Sequence, residues 1–170
     1  VGYSLGGNIL LKYLAETGLD ARVSRAVTVS APLDLSTVSR RLEAPRNRIY
    51  HRWLLDRMKQ DWGGGPLDLS TVQRDALDRA VSIREFDDGV VAPSNGFADA
   101  EDYYARCAAG PRLGEITIPT LLVHAQDDPW IPAEIYRRYK PSMAPDMSMA
   151  LVPGGGHVGF HGRAGRWHDQ

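Results

Sequence analysis

One cysteine, Cys107, stands in a chain of 170 residues. A disulfide framework within the chain is therefore excluded, and with it the small secreted folds that depend on one. There is no excess of positive charge: the formal net charge is −1, so no basic field exists to hold nucleic acid or an anionic membrane surface. No apolar run reaches the ~18 residues that a membrane-spanning helix needs. No His/Cys cluster has zinc spacing, and neither a metal nor an organic cofactor is expected. What remains is 43% hydrophobic and 24% charged, the ordinary make-up of a globular domain, at about one domain's length.

The chain opens on Val1 and runs at once into Gly2-Tyr3-Ser4-Leu5-Gly6. Such a motif needs a strand ahead of it. The reading is therefore a C-terminal portion of something longer, whose motif has lost its leading strand. The lack of a signal peptide then carries no information, and a cytoplasmic location is the working expectation.

Leu5 to Thr17 reads as a helix, with Ile9, Leu10, Leu11, Tyr13 and Leu14 covering most of its circumference, and Gly18 as its stop. A helix apolar nearly all round is expected to be buried. Ala26–Ser30, Leu121–Ala125 and Met147–Val152 are short apolar runs that read as strands, and Ala133–Tyr139 lies between the last two as a helix. This alternation predicts a parallel α/β sheet. Residues 33–114 break the rhythm. Helices are expected at Ile49–Trp62, Asp75–Val81 and Glu101–Ala109, with no strand, so the segment reads as a helical insertion, either a lid or a bulky connection. Tyr50, Trp53, Trp62, Phe97 and Tyr103 could line an acyl pocket, but ordinary core is the heavier reading. Pro-Leu-Asp-Leu-Ser-Thr-Val occurs twice, from Pro32 and from Pro66; seven residues do not make a repeat architecture, and both copies read as a turn opening a helix, capped by Asp or Ser.

Gly2-x-Ser4-x-Gly6 has a mechanical sense. A serine on a sharp strand-to-helix turn has its hydroxyl lifted above a sheet, and glycines at either side relieve the crowded backbone. The N–H of Leu5, at the helix start, could then stabilise an oxyanion. No Gly-Lys-Ser/Thr follows, which argues against a phosphate loop. A serine hydroxyl needs a base. Of the five histidines, His157 follows strand Met147–Val152 through Pro153-Gly154-Gly155-Gly156, at the strand end where open α/β sheets place their ligands. His124 lies inside a strand and reads as a packing histidine; His51, His161 and His168 read as solvated surface. The third member must be a carboxylate that orients the imidazole. Asp127 and Asp128 both follow strand Leu121–Ala125, and adjacent side chains point different ways, so only one should face the histidine. Asp34, after strand Ala26–Ser30, is a rival, though it also reads as a helix cap. The order Ser4, Asp128, His157 is the serine–acid–histidine order of α/β-hydrolases.

These residues resemble a known family. Gly2-Tyr3-Ser4-Leu5-Gly6-Gly7-Asn8 with Leu10–Leu14, Ala31-Pro32-Leu33-Asp34-Leu35, Phe86-Asp87, Gly96-Phe97, Asp102-Tyr103-Tyr104, Ile118-Pro119-Thr120, His124-Ala125-Gln126-Asp127-Asp128-Pro129 and Gly155-Gly156-His157-Val158-Gly159-Phe160 are similar to the YheT-like α/β-hydrolases, which include ABHD-type lipases and yeast ethyl-ester synthase/esterases. The resemblance implies an α/β-hydrolase fold, a mostly parallel sheet with flanking helices and a helical, lid-like insertion, its N-terminal strands missing. It divides residues 1–170 into an elbow, helix and strand (1–32), the insertion (33–114), and the strands and loops bearing acid and histidine (115–170). It implies cleavage of carboxylic esters, medium-chain acyl esters or glycerides, through Ser4, His157 and Asp128, the second aspartate of the pair. It departs from the family in lacking the upstream His-Gly strand-loop that supplies a second oxyanion donor, and the final helix. Two alternatives stand beside hydrolysis: acyl transfer to an alcohol on the same site, and a non-catalytic fold used as a binding module.

Overall fold

A computed structural model of the chain describes residues 1–16, 22–65, 68–162 and 165–166. The expected helix end at Thr17-Gly18, the opening Pro66-Leu67 of the second heptapeptide, and His168 lie outside the described residues, as does the side chain of His161. The chain forms two compact units, one of residues 1–34 and 107–170, the other of residues 35–106.

The first unit is built on a four-stranded parallel sheet in chain order: β1 (Gly2–Tyr3), β2 (Ala26–Val29), β3 (Thr120–Ala125) and β4 (Met147–Val152). The expected three strands are thus present within a residue or so. The strand expected to be lost is also there in part, since Gly2 and Tyr3 pair with Thr28 and Val29. Two residues suffice because Ser4 N–H extends the ladder to Val29 O at 2.9 Å. Helix α1 (Leu5–Glu16) packs on β1 and β2. It is not buried all round. Gly7, Asn8, Leu11 and Leu14 form the covered stripe, while Leu5, Ile9 and Tyr13 are exposed. A wide apolar circumference permits cover on several sides but does not supply it, and this chain covers one. Asn8, fully within that stripe, is satisfied at both ends: its Nδ2 donates to Cys107 O and its Oδ1 accepts from Ala109 N, each at 2.9 Å. Leu33, Leu113, Ile116, Leu122, Ile131, Ile135 and Tyr136 complete the core.

The two motif glycines are not equivalent. A Cβ at Gly2 would lie 2.7 Å from Gly6 O and 2.8 Å from Gly7 Cα, both backbone, whereas one at Gly6 meets nothing within 4 Å. The second crowded position is Gly7, whose Cβ would meet that of Ala31 at 2.8 Å. Relief therefore falls on Gly2 and Gly7 rather than Gly2 and Gly6. Gly2→Ala is expected to destabilise the protein by about 1–3 kcal/mol, because backbone cannot step aside as a side chain can; an unchanged urea midpoint would contradict this.

The second unit is helical: α2 (Leu35–Leu42), α3 (Arg48–Gly63), α4 (Thr71–Arg79), α5 (Ile83–Phe86), a π-turn (Asp87–Val91), α6 (Ala92–Ser94) and α7 (Ala100–Cys107), the last entering the first unit at its final residue. No strand occurs among its described residues. Leu55, Leu69, Leu77, Ile83, Phe86 and Val90 form its core, with Trp62 packed edge-on to Phe86 at 5.8 Å. His51 is not surface, as the sequence suggested, but buried on the inner face of α3, where its Nε2 accepts the Ile83 N–H at 3.1 Å and so caps α5. Trp53 departs the other way: it is neither core nor pocket but exposed beside Tyr50.

The repeated heptapeptide opens both helices, in different registers. The first copy is helical from Leu35, the second only from Thr71. The difference lies downstream. Ser70 Oγ accepts from Gln73 N at 3.2 Å and Gln73 Oε1 from Ser70 N at 2.9 Å, a reciprocal capping box. At the same offset the first copy offers Ser39, which cannot reach back.

One buried acid marks this unit. The Tyr104 hydroxyl donates to Asp87 Oδ2 at 2.6 Å. Burial pushes the Asp87 carboxyl up to about 6, and the Tyr104 bond offsets only part of that. The unfolded chain ionises near 4, so between pH 4 and 6 the folded state holds a proton that the unfolded state has released. Stability accordingly falls as pH rises through that window, by about 3 kcal/mol, and is level above it. Asp87→Asn keeps an acceptor for Tyr104 and removes the ionisation. The variant is expected to gain on the parent between pH 4 and pH 7.5 in denaturant unfolding; equal slopes would show that Asp87 is not the group responsible.

Candidate active site

Three side chains expected to act together come from three strand ends. Ser4 follows β1, Asp128 follows β3 and His157 follows β4, all at the carboxyl edge of the parallel sheet, where such sheets leave a crevice for ligands. Each is carried by a local device. Ser4 has φ 48°, in the left-handed region that non-glycine residues seldom enter. Its carbonyl accepts the Gly7 N–H at 2.8 Å, so the chain passes from strand into α1 within one residue. The hydroxyl thereby stands at a helix N-terminus, with the Leu5 amide heading that helix.

Asp128 sits in a turn that it closes itself. Its Oδ1 accepts the N–H groups of Trp130 and Ile131 at 2.9 and 3.0 Å, while Oδ2 faces His157. Asp-Pro sequences favour such side-chain-to-backbone turns. The neighbouring Asp127 points elsewhere, to the Gly156 N–H at 2.9 Å. It fixes the loop that carries the histidine and does not touch the imidazole. That loop depends on its glycines: Gly155 and Gly156 have φ 152° and 56°, and a Cβ at Gly155 would strike the Phe160 ring at 2.6 Å. Asp34 is removed from contention, since its Oδ2 lies 3.0 Å from Arg138 Nη1 in an exposed ion pair.

His157 bridges the other two. Its Nδ1 is 2.9 Å from Asp128 Oδ2 and its Nε2 is 2.8 Å from Ser4 Oγ. A carboxylate only accepts, so Nδ1 carries the proton and Nε2 is the acceptor for the serine hydroxyl. Asp128 is buried and the His157 side chain is 11% exposed. Chemically, the arrangement can draw a proton from Ser4 and hold the resulting imidazolium against a buried carboxylate.

Sequence reading missed three contributors. Trp130 packs its ring 4.4 Å from that of His157, and the signal for it is only its place two residues after Asp128. Asp127 acts through the Gly156 amide, which the doubled aspartate could have suggested. His124, read as packing, is wholly buried as expected, but it lies 3.8 Å from Asp128 Oδ2. Among the described residues no group of three or more His, Cys, Asp or Glu could hold a metal ion, and no helix is long and apolar enough to cross a membrane.

Comparison with known proteins places the chain in a family. YheT of Escherichia coli strain K12, an esterase by name, is 42% identical over 168 residues, covering 95% of this chain and 48% of that protein. Human phospholipase ABHD3 is 30% identical over 161 residues, covering 94% of this chain and 39% of its own. The chain thus spans half or less of the length of these relatives. Among solved structures, the monoacylglycerol lipase of Paleococcus ferrophilus superposes with a TM-score of 0.50 at 20% identity, over 92% of this chain and 58% of that one, which bears on the fold alone. Residues 1–169 match the model of a family described as the alpha/beta hydrolase family. With a parallel sheet, a serine on a strained strand-to-helix turn and this match over nearly its whole length, the chain belongs to the alpha/beta hydrolase family, among members of the YheT and ABHD type.

Proposed function

We propose that this chain carries the catalytic serine, acid and base of a carboxylic ester hydrolase. The observation that carries the reading is the unbroken sequence of contacts from Ser4 Oγ through His157 to Asp128, at 2.8 and 2.9 Å. Ser4 Oγ attacks the acyl carbonyl while its proton passes to His157 Nε2. The oxyanion draws on the Leu5 amide at the start of α1, where unsatisfied N–H groups and the helix dipole favour negative charge. The tetrahedral adduct collapses, the alcohol leaves with the proton from His157, and an acyl group remains on Ser4. Water then repeats the sequence and releases the acid. Asp128 fixes the imidazole tautomer throughout and does not itself take the proton. Medium-chain acyl esters or glycerides are the proposed substrates. The name of one relative, a phospholipase, supports lipid-like esters as the class.

A fluorophosphonate probe applied to the intact protein tests the reading. Covalent labelling mapped to Ser4, with release of acid from a series of nitrophenyl esters peaking at intermediate acyl length, is the expected result. No labelling of Ser4 would refute the hydrolase assignment and favour a binding role for the fold. Labelling with a flat chain-length profile would refute only the substrate class.

A further inference from the structure

His124 does more than fill space. It lies in β3 with no exposed surface, and its Nε2 is 3.0 Å from Ile131 O. A carbonyl only accepts, so Nε2 carries the proton and Nδ1 is a bare lone pair. That lone pair has no hydrogen-bond partner among the described residues, yet it faces Asp128 Oδ2 at 3.8 Å, the oxygen that also receives the His157 proton. Buried acceptors are rarely left so, and one set opposite a second acceptor calls for a reason other than stability. The ring cannot turn away: it is stacked on Tyr136 at 4.0 Å and 5°, and the Tyr136 hydroxyl is anchored on Ala31 O at 2.8 Å.

We propose that His124 is a positioning residue for the acid, holding the Asp128 turn from one side while withholding a competing proton from Oδ2; the proposal rests on the hydrolase reading above. Its Nε2–H holds Ile131 by the carbonyl, and the N–H of the same residue, in the preceding peptide group, donates to Asp128 Oδ1 at 3.0 Å. Its Nδ1 offers Oδ2 nothing, so that oxygen keeps His157 as its imidazole donor. The groups facing His124 are Asp127 and Asp128 on the turn after β3, His157 on the loop after β4, and Tyr136 on the helix Ala133–Tyr139. Burial lowers the affinity of His124 for a proton, against the pull of Asp128, and so preserves the neutral form. A proton on Nδ1 would turn Oδ2 towards His124 and loosen His157.

Three substitutions separate these duties in the intact protein. The amide of His124→Gln ends near the ring's Nε2 and can still donate to Ile131 O. His124→Asn ends near Nδ1 and puts a donor against Asp128. His124→Phe keeps the stacking plane and loses both. Two readouts are taken: the pH dependence of fluorophosphonate labelling of Ser4, and the downfield proton of His157 Nδ1 by NMR, which reports the His157–Asp128 bond whether or not the protein turns over. His124→Gln is expected to label within about threefold of the parent, while His124→Asn and His124→Phe label roughly 10- to 100-fold more slowly, with a displaced pH midpoint and a weakened downfield signal. Folded Asn and Phe variants that keep the parental midpoint and signal would overturn the proposal. So would a nitrogen spectrum of the parent showing the proton on His124 Nδ1, a measurement that needs no variant. Should the parent itself fail to label while its downfield signal responds to His124 as stated, the hydrolase reading falls and the positioning role stands.

Discussion

Ser4→Ala is expected to reduce ester hydrolysis by the intact protein on the order of 10⁴- to 10⁶-fold in kcat and to abolish fluorophosphonate labelling, with little change in KM. The size follows from the geometry. The hydroxyl is the only group lost, and it ends the contact chain that runs from Asp128 through His157, so removing it leaves only the oxyanion donors and substrate binding. The residual rate over water is expected to be about 10³- to 10⁴-fold on that account. Ser30 provides an internal control. It too is a serine with positive φ, 51°, at the end of β2, and its hydroxyl is buried without a hydrogen-bond partner among the described residues. Among the described residues no basic side chain hydrogen-bonds to it. Ser30→Ala should leave labelling intact, and equal losses from both substitutions would mean that disturbance of the sheet edge, rather than loss of a nucleophile, explains the effect.

The site was legible in the sequence to the extent that its parts are local. The elbow lies in a glycine-rich stretch with an apolar helix directly after it, and the acid and base need only follow strands. Spacing therefore marked Ser4 and His157 and narrowed the acid to Asp127 or Asp128 with Asp34 as rival, while the family resemblance chose Asp128. Non-local features were not legible. Ile9 and Leu11 are equally apolar, and which of them is covered depends on β1 and β2 lying along one side of α1. His51 looks like surface because its neighbours Arg48 and Arg52 are charged; only the arrival of Ile83, 32 residues later, gives its Nε2 a donor. The heptapeptide shows the limit most plainly. Identical residues start a helix at Leu35 in one place and Thr71 in the other because Gln73, outside the repeat, closes a capping box. Asp127 and Asp128 were separable in principle by alternation, but which of the two faces His157 rests on the Asp128 side chain being drawn inward by Trp130 and Ile131 amides.

That last distinction supplies the second large effect. Asp128→Asn is expected to lower kcat by about 10⁴-fold while leaving the fold in place. The amide oxygen of asparagine can keep the Trp130 and Ile131 N–H groups, so the turn survives. Its NH₂ then replaces Oδ2 opposite His157 Nδ1. Two donors cannot face one another, so the imidazole must move its proton to Nε2, where it points at Ser4 and can no longer accept. The defect is thus one of tautomer, not of folding, and the variant should unfold close to the parent while labelling far more slowly. Asp127→Asn retains an acceptor for the Gly156 N–H and is expected to cost much less than Asp128→Asn. Asp34→Asn breaks an exposed pair with Arg138, worth no more than about 1 kcal/mol, and should leave kcat unchanged. Measured side by side, the three aspartates form a ranking that a general loss of stability could not produce. Equal losses at Asp127 and Asp128, or loss at Asp34 alone, would place the acid elsewhere and undo the assignment of His157's partner.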